Sequence, residues 1–261
     1  MTELQAVVLG ILQGAGEFLP VSSSAHLALA PRVFGWPDQG LAYDVMLHVG
    51  TLLAVAVYFW KDWIKIFSDA VRRPAEKEGR LLWLLAAGSV PGGVAGLLLN
   101  HAAETVFRNP LWIGFNLLFF SVLIYLADRK PALELEESSF SLKHALLIGL
   151  AQSLALMPGA SRSGMTIMAA LFLGYRRSAA ARLSFLLGTP IILGAALMEA
   201  RKISPGHLDA AFATGLASSM IAGLCCIWLI MAWLKKRTLA PFIAYRVALG
   251  AAILWMFWGK A

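Results

Sequence analysis

LGILQGAGEFLPVSSSAH, residues 9–26, and IGLAQSLALMPGASRSGM, residues 148–165, are two copies of one pattern set 139 residues apart. At that offset Gly10 pairs with Gly149, Gln13 with Gln152, Ser22 with Ser161 and Ser24 with Ser163. Each copy is apolar for three helical turns, then broken by proline or glycine, then resumed behind serines. Proline removes a backbone donor and ends a helix, and serine caps the next one. The apolar stretches around the breaks, about 3–34 and 144–174, are therefore expected to be pairs of short half-helices that re-enter the side they came from.

Six other runs are long enough to span a membrane, at about 41–60, 81–100, 111–127, 183–200, 212–234 and 239–258. Three follow each broken stretch. A hairpin that re-enters adds no net crossing and three spans are an odd number, so the second half is expected upside down relative to the first. The expected fold is an all-α polytopic membrane protein with an inverted-topology repeat, repeat 1 over about 1–127 and repeat 2 over about 144–258. Composition agrees: 59% of the 261 residues are hydrophobic and 14% are charged. That is too little polar surface for a soluble domain of this length.

The formal charge of +7 does not point to nucleic acid, because the basic residues sit in short loops. Fifteen of them, from Lys61 to Arg80, Arg129 to Lys143, Arg176 to Arg182 and Lys235 to Arg237, fall on one side in this topology. Five fall on the other: Arg32, Arg108, Arg201, Lys202 and Lys260. The positive-inside rule places the fifteen in the cytoplasm, with the first hairpin entering from outside. KDWIKIFSDAVRRP reads as a helix lying in the cytoplasmic interface. The N-terminus MTELQ has no basic n-region and is read as part of the mature protein. Cys225 and Cys226 are neighbours in an apolar run and suggest neither disulfide nor zinc site.

Ionisable groups at membrane depth are costly unless paired or facing water, so each is a candidate for chemistry. The first hairpin offers Glu17 and His26, the second Arg162. Ser22, Ser23, Ser24, Ser161 and Ser163 flank the breaks, and Thr166 follows a turn later. Two facing half-helix N-termini with hydroxyls suit a phosphate. Ser23 and His26 share one helix face, Arg162 and Thr166 another. Arg162 has the fork to grip two phosphate oxygens. The plainer readings are that the serines bond back to their own carbonyls and that Glu17 is only a strut for Arg162. Asp44 and Arg246 are read as structural pairs, and His48, His101, His144 and His207 as structural histidines. The glycines of SVPGGVAG are read as close helix packing.

At the two breaks the sequence resembles the undecaprenyl-diphosphate phosphatase family, also called the bacitracin-resistance protein family. QGAGEFLPVSSSAH at 13–26 and PGASRSGMT at 158–166 carry the resemblance, with weaker likenesses in YDVMLHVGTLLAV, SVPGGVAGLLL and FIAYRVALG. It implies hydrolysis of the C55 isoprenoid diphosphate to the monophosphate carrier lipid of cell-wall synthesis. It also implies a homodimer in a bacterial inner membrane, surrounded by membrane lipids, with a pocket open to the outer face. Carried onto this chain, Glu17, Ser23, His26 and Arg162 match the family's key positions, with Gln13, Ser22, Ser24, Ser161, Ser163 and Thr166 as substrate contacts. Gln13 stands where many members have a second glutamate, which weakens a metal held by paired acids. Ala25 stands where glycine is usual. Mg²⁺ or Ca²⁺ bridging Glu17 and phosphate oxygens is the cofactor expectation. Ser23 attacks phosphorus with Glu17 or His26 taking its proton, or water attacks directly. The rival is a transporter or flippase for an anionic isoprenoid lipid, since broken midplane helices occur there as well.

Overall fold

The computed structural model describes residues 1–74, 76–104, 106–130, 133–199 and 209–259. His207, Arg201, Lys202, Lys260 and the His101 side chain, all read above, lie outside the described residues. Eleven α-helices make up the described chain: α1 Glu3–Phe18, α2 Ser23–Phe34, α3 Gly40–Tyr58, α4 Trp60–Arg72, α5 Leu81–Glu104, α6 Pro110–Asp128, α7 Leu142–Ser153, α8 Arg162–Leu173, α9 Arg177–Glu199, α10 Ala210–Trp233 and α11 Ala240–Phe257. Five helices, α5, α6, α9, α10 and α11, contain stretches long and apolar enough to cross a membrane, and α3 with α4 makes a sixth if counted together. The protein is a multi-pass membrane protein.

The boundaries differ from expectation in two places. The run at 41–60 stops at Tyr58, where α4 turns 77° away. The Trp60–Arg72 segment buries Ile66 and Ala70 while its lysines and arginines stay at the surface. The run placed at 183–200 begins earlier, at Arg177, because its first turns are held by charge. The Arg177 guanidinium donates to Asp128, and Arg182 bridges Asp62 and Glu137 at 2.8 Å each. Hydropathy does not register such turns.

Both breaks fold as their residues dictate. Thr2 and Gln5 form a reciprocal capping box that starts α1. Leu19 and Pro20 end it, and the chain turns through Ser22 at φ 75° into α2. In the second break Gly159 at φ 96° and Ser161 at φ 74° make the equivalent turn, with Ser161 Oγ accepting from the Gly164 amide at 3.1 Å. Ser22 and Ser161 are the two non-glycine residues with positive φ among those described, and they are 139 positions apart. Left-handed backbone costs a residue with a side chain about 1–3 kcal/mol and persists only where its surroundings impose it.

The two tips meet in the interior. The Gly159 amide donates to Ser22 Oγ at 3.1 Å, and Asn116 donates to the Pro158 carbonyl at 3.0 Å. Arg246 of α11, fully buried, donates to the carbonyls of Pro20 at 3.4 Å and Gly159 at 2.8 Å and to Ser121 Oγ at 3.0 Å. Pro20 and Gly159 are themselves 139 apart, so one guanidinium latches equivalent points of both tips. Arg246 is thus structural, as read from sequence, although its partners are carbonyls and a hydroxyl rather than a carboxylate.

Glycines set the packing of the first helix in each hairpin. α1 lies on α10 and α7 on α5. A Cβ at Gly10 would collide with the Gly215 carbonyl and Ser218 Oγ, and one at Gly149 with the Gly88 carbonyl oxygen. Gly149→Ala should therefore separate α7 from α5. A cost of about 1–3 kcal/mol is expected for such overpacking. It would appear as a lower melting temperature of the purified protein, and an unchanged temperature would contradict this packing.

Candidate active site

Glu17, at the end of α1, is 3% exposed and accepts hydrogen bonds on both carboxylate oxygens. Arg162 Nε donates to Oε1 at 2.8 Å. Ser23 Oγ donates to Oε2 at 3.0 Å and Gln13 Nε2 donates to the same oxygen at 3.1 Å. His48 Nε2 of α3 also lies 3.3 Å from Oε2. Each partner is placed by a local rule. Gln13 is one helical turn before Glu17, Ser23 opens α2 across the tip, and Arg162 is the first residue of α8. Gly16 makes room, since a Cβ there would come within 2.7 Å of Ser23 Cα.

Arg162 is only partly committed. Its Nη1 donates to the Ser184 carbonyl at 3.1 Å, while its buried Nη2 has no partner among the described residues. Gln152 is 4% exposed and neither of its amide atoms has a partner. Buried polar groups are nearly always hydrogen-bonded, and each one left bare costs about 1–3 kcal/mol. Arg162 and Gln152 line the same pocket of about 170 Å³, together with Glu17, Ser23, Ser24 and His48. Arg162 Nη2 and Gln152 Nε2 are thus unspent donors beside the pocket, and a turn of either side chain would present one to an oxygen-rich anion. Ser22 makes no side-chain cap to α2, which leaves the first-turn amides of that helix without one.

This pocket continues into a larger cavity of about 530 Å³ between α3, α5 and α9, and the walls of both are mainly apolar. Ser24, Val45, His48, Gly92, Ala155, Leu156, Ile191 and Ala195 line both. Leu27, Val90, Leu97, Pro190 and Met198 extend the apolar wall. Asp44 and Arg108, also on this wall, hold each other at 2.8 Å, and Arg108 reaches on to Asp38 at 3.1 Å. Asp44 is the structural pair that the sequence suggested.

The expected site residues divide. Glu17, Ser23, Arg162 and Gln13 form one hydrogen-bonded cluster, and Ser24 lines both cavities. Ser22, Ser161 and Ser163 serve the tips: Ser22 accepts from Gly159, Ser161 from Gly164, and Ser163 donates to the Leu19 carbonyl at 3.4 Å. Thr166 bonds back to the Arg162 carbonyl at 2.8 Å and meets Ser184 Oγ at 2.6 Å, pinning α8 to α9. His26 bonds the Ser22 carbonyl through Nδ1 at 2.8 Å and the Tyr245 hydroxyl through Nε2 at 2.6 Å, stacking on that ring. It does not join the Glu17 cluster. His48, read as structural, does join it and lines both cavities, and Gln152 was read only as the repeat partner of Gln13. The signal for His48 was present, since it is an ionisable side chain midway along an apolar span.

Residues 6–252 match the family described as bacitracin resistance protein BacA. Similar proteins include an undecaprenyl-diphosphatase of Pelotomaculum thermopropionicum, 49% identical over 97% of this chain and 96% of that one. Proteins of the same name from Elusimicrobium minutum and Moorella thermoacetica are 46% and 42% identical, each matched over 97% or more of both chains. The chain belongs to the bacitracin resistance protein BacA family.

Proposed function

We propose that this protein hydrolyses undecaprenyl diphosphate to undecaprenyl phosphate and inorganic phosphate, returning the carrier lipid to cell-wall synthesis. One observation carries the reading. A small pocket bordered by Glu17, Ser23, His48, Gln152 and Arg162 opens into a larger, mainly apolar cavity, an arrangement that suits a diphosphate on an isoprenoid chain. Arg162 Nη2, Gln152 Nε2 and the α2 amides bind the terminal phosphate and stabilise charge on it in transfer. Ser23 Oγ attacks phosphorus and Glu17 Oε2, already accepting its hydrogen bond at 3.0 Å, takes the proton. Water then clears the phosphoserine. Trapping of phosphate on Ser23 supports this order, whereas inversion at phosphorus in a stereochemical assay favours direct attack by water. A carrier needs an anion site but has no use for a serine aimed at a carboxylate. The relatives reported above are phosphatases by name.

The halves are inverted in this reading. In support, α1, α2, α7 and α8 have 16, 12, 12 and 12 residues. At 1.5 Å per residue none reaches beyond about 24 Å, short of a hydrocarbon core of about 30 Å. The loop charges favour a cytoplasmic face for α4 and an outer face for the cavity mouth near Asp44 and Arg108, in a bacterial inner membrane. Two copies pair as the resemblance implies.

Mg²⁺ or Ca²⁺ enters with the substrate in this reading. Among the described residues no three His, Cys, Asp or Glu side chains gather as a metal site, and Glu17 accepts from Gln13, Ser23 and Arg162 with His48 Nε2 3.3 Å away. The chain does not supply a closed ligand set, so the ion would be held by the diphosphate's own oxygens with Glu17 alongside. Proton and phosphoryl transfer are accounted for by the protein's own groups.

Phosphate release from a C15 diphosphate, compared with inorganic pyrophosphate, tests the two-part cleft. The lipid should be turned over and pyrophosphate poorly, because only the lipid fills the apolar cavity. Equal turnover of both would contradict it. Gly188→Ala offers a second check. A Cβ there would collide with Arg162 Nη1 and Cζ and stand 2.9 Å from Nη2. The flexible guanidinium yields rather than the helix, so the protein should fold normally while phosphate release falls by about 10²-fold, as expected for a misplaced catalytic group.

A further inference from the structure

We propose that α4 is a docking site for anionic phospholipid headgroups, which hold the elbow between α3 and α4 against one leaflet of the bilayer. The helix sorts its residues into sectors. At 3.6 residues per turn, Trp60, Ile64, Phe67 and Val71 fall within about 60° of arc, and each is more than half exposed. Ile66 and Ala70, about 110° to one side, are buried against the protein. Lys61, Lys65 and Arg72 lie about 110° to the other side, within about 40° of one another, and all three are exposed. One flank of α4 thus packs, its outer face is apolar, and the flank away from the protein is basic.

This division fits the boundary between acyl chains and headgroups. The helix leaves α3 through a 77° bend and has 13 residues, about 20 Å. That is too short to cross a membrane. A helix lying in the boundary buries an apolar stripe in the acyl chains and sets its cations among the phosphates, with their stems along the apolar surface. Lys61 Nζ stands 5.5 Å from the Trp60 ring centroid, so the basic row begins at the edge of the apolar stripe.

The row is also uncommitted. Among the described residues Lys61, Lys65 and Arg72 form no ion pair, whereas Asp62 is spent on Arg182 at 2.8 Å and Arg73 on Glu76. Asp69 lies beyond the row, on the side away from the apolar stripe. An anionic headgroup beside the stripe therefore meets three cations before any carboxylate, and such cations favour acidic lipids. A second copy of the chain docked through the same face would set two basic rows together, which disfavours that contact. Anchoring α4 has a consequence for the site. Arg182 of α9 bridges Asp62 and Glu137 and stands 5.4 Å from the Phe59 ring at the elbow. A headgroup on α4 thereby steadies α3 and α9, two of the helices around the larger cavity.

The test is quenching of tryptophan fluorescence in phosphatidylcholine vesicles that carry equal fractions of brominated phosphatidylglycerol or brominated phosphatidylcholine. The difference between wild type and Trp60→Phe isolates the Trp60 signal. Brominated phosphatidylglycerol should quench it more strongly at low salt. The excess should vanish near about 1 M salt, where the Debye length is about 3 Å. Each cation near the surface strengthens the attraction about fivefold. The triple variant Lys61→Gln, Lys65→Gln, Arg72→Gln should therefore bind phosphatidylglycerol about 10²-fold more weakly and lose the preference. Lys61→Arg, Lys65→Arg, Arg72→Lys keeps the charge and should keep the preference. Equal quenching by the two lipids in wild type, an excess that salt does not reduce, or a preference that survives in the uncharged variant overturns the site. Absence of Trp60 quenching by either lipid overturns it as well, since something other than acyl chains would then cover the apolar face. The salt series on wild type decides the matter if the uncharged variant folds poorly.

Discussion

Arg162→Lys should lower phosphate release by about 10²- to 10³-fold, the loss typical when a preorganised donor to developing charge is removed. The substitution keeps a cation beside Glu17, so the buried carboxylate is not stranded and the fold should hold. What disappears is the fork. Arg162 spends Nε on Glu17 and Nη1 on the Ser184 carbonyl, and its Nη2 has no partner among the described residues. A lysine has one nitrogen for both bonds and for the substrate. Arg162→Ala should be worse in two ways, since leaving an uncompensated buried charge costs about 3–5 kcal/mol of stability besides activity. The check is kcat/KM for a lipid diphosphate beside the melting temperature. Near-normal turnover by Arg162→Lys would mean that Nη2 does not meet the substrate.

Glu17→Gln should cost more activity, and stability as well, because it leaves the Arg162 guanidinium without its buried counter-charge at 2.8 Å. The amide fits the same space, and its carbonyl oxygen still accepts from Arg162 or Ser23. It cannot take a proton from Ser23 at the pH of the assay. Removing a positioned base lowers rates by about 10²- to 10⁴-fold, and here the loss should sit in kcat, because Glu17 points at the nucleophile and makes no required contact with the lipid. Ser23→Ala should match it if Ser23 is the nucleophile. A clear surplus of activity in Ser23→Ala over Glu17→Gln would instead assign the attack to water activated by Glu17.

Much of this arrangement was legible in the sequence, for physical reasons that also mark where legibility ended. Pro20, Pro158 and Gly159 cannot continue a helix, so the breaks were certain from residue type. The 139-residue offset then places Glu17, Ser23 and Arg162 at facing tips. The serines were harder. A hydroxyl that caps a helix, glues two helices or binds a ligand has the same letter, and only geometry shows Ser161, Ser163 and Thr166 spent on backbone and neighbours. His26 and His48 exchanged places for a related reason. Sequence distance put His26 next to Ser23, but helix rotation turns it to Tyr245, 219 positions away. His48 sits on a separate helix that tertiary packing brings against α1. Arg246 joins tips that are 226 and 87 residues from it in sequence, a contact that no local pattern encodes.

The position of α9 teaches the same lesson about boundaries. Hydropathy begins the span after its arginines, yet Arg177 and Arg182 are helical because Asp128, Glu137 and Asp62 meet them from other segments. Conversely, α4 is set apart from α3 by a bend at Phe59 that no glycine or proline marks.

The most direct measurement is simultaneous quantitation of inorganic phosphate and lipid monophosphate formed from undecaprenyl diphosphate by the purified protein in detergent, beside Glu17→Gln and Arg162→Lys. One phosphate and one undecaprenyl phosphate per substrate from wild type, with both products collapsing together in the two variants, is the predicted result. Folded wild-type protein that forms neither product with Mg²⁺ or Ca²⁺ present, or variants as active as wild type, would contradict a phosphatase site between the two hairpins.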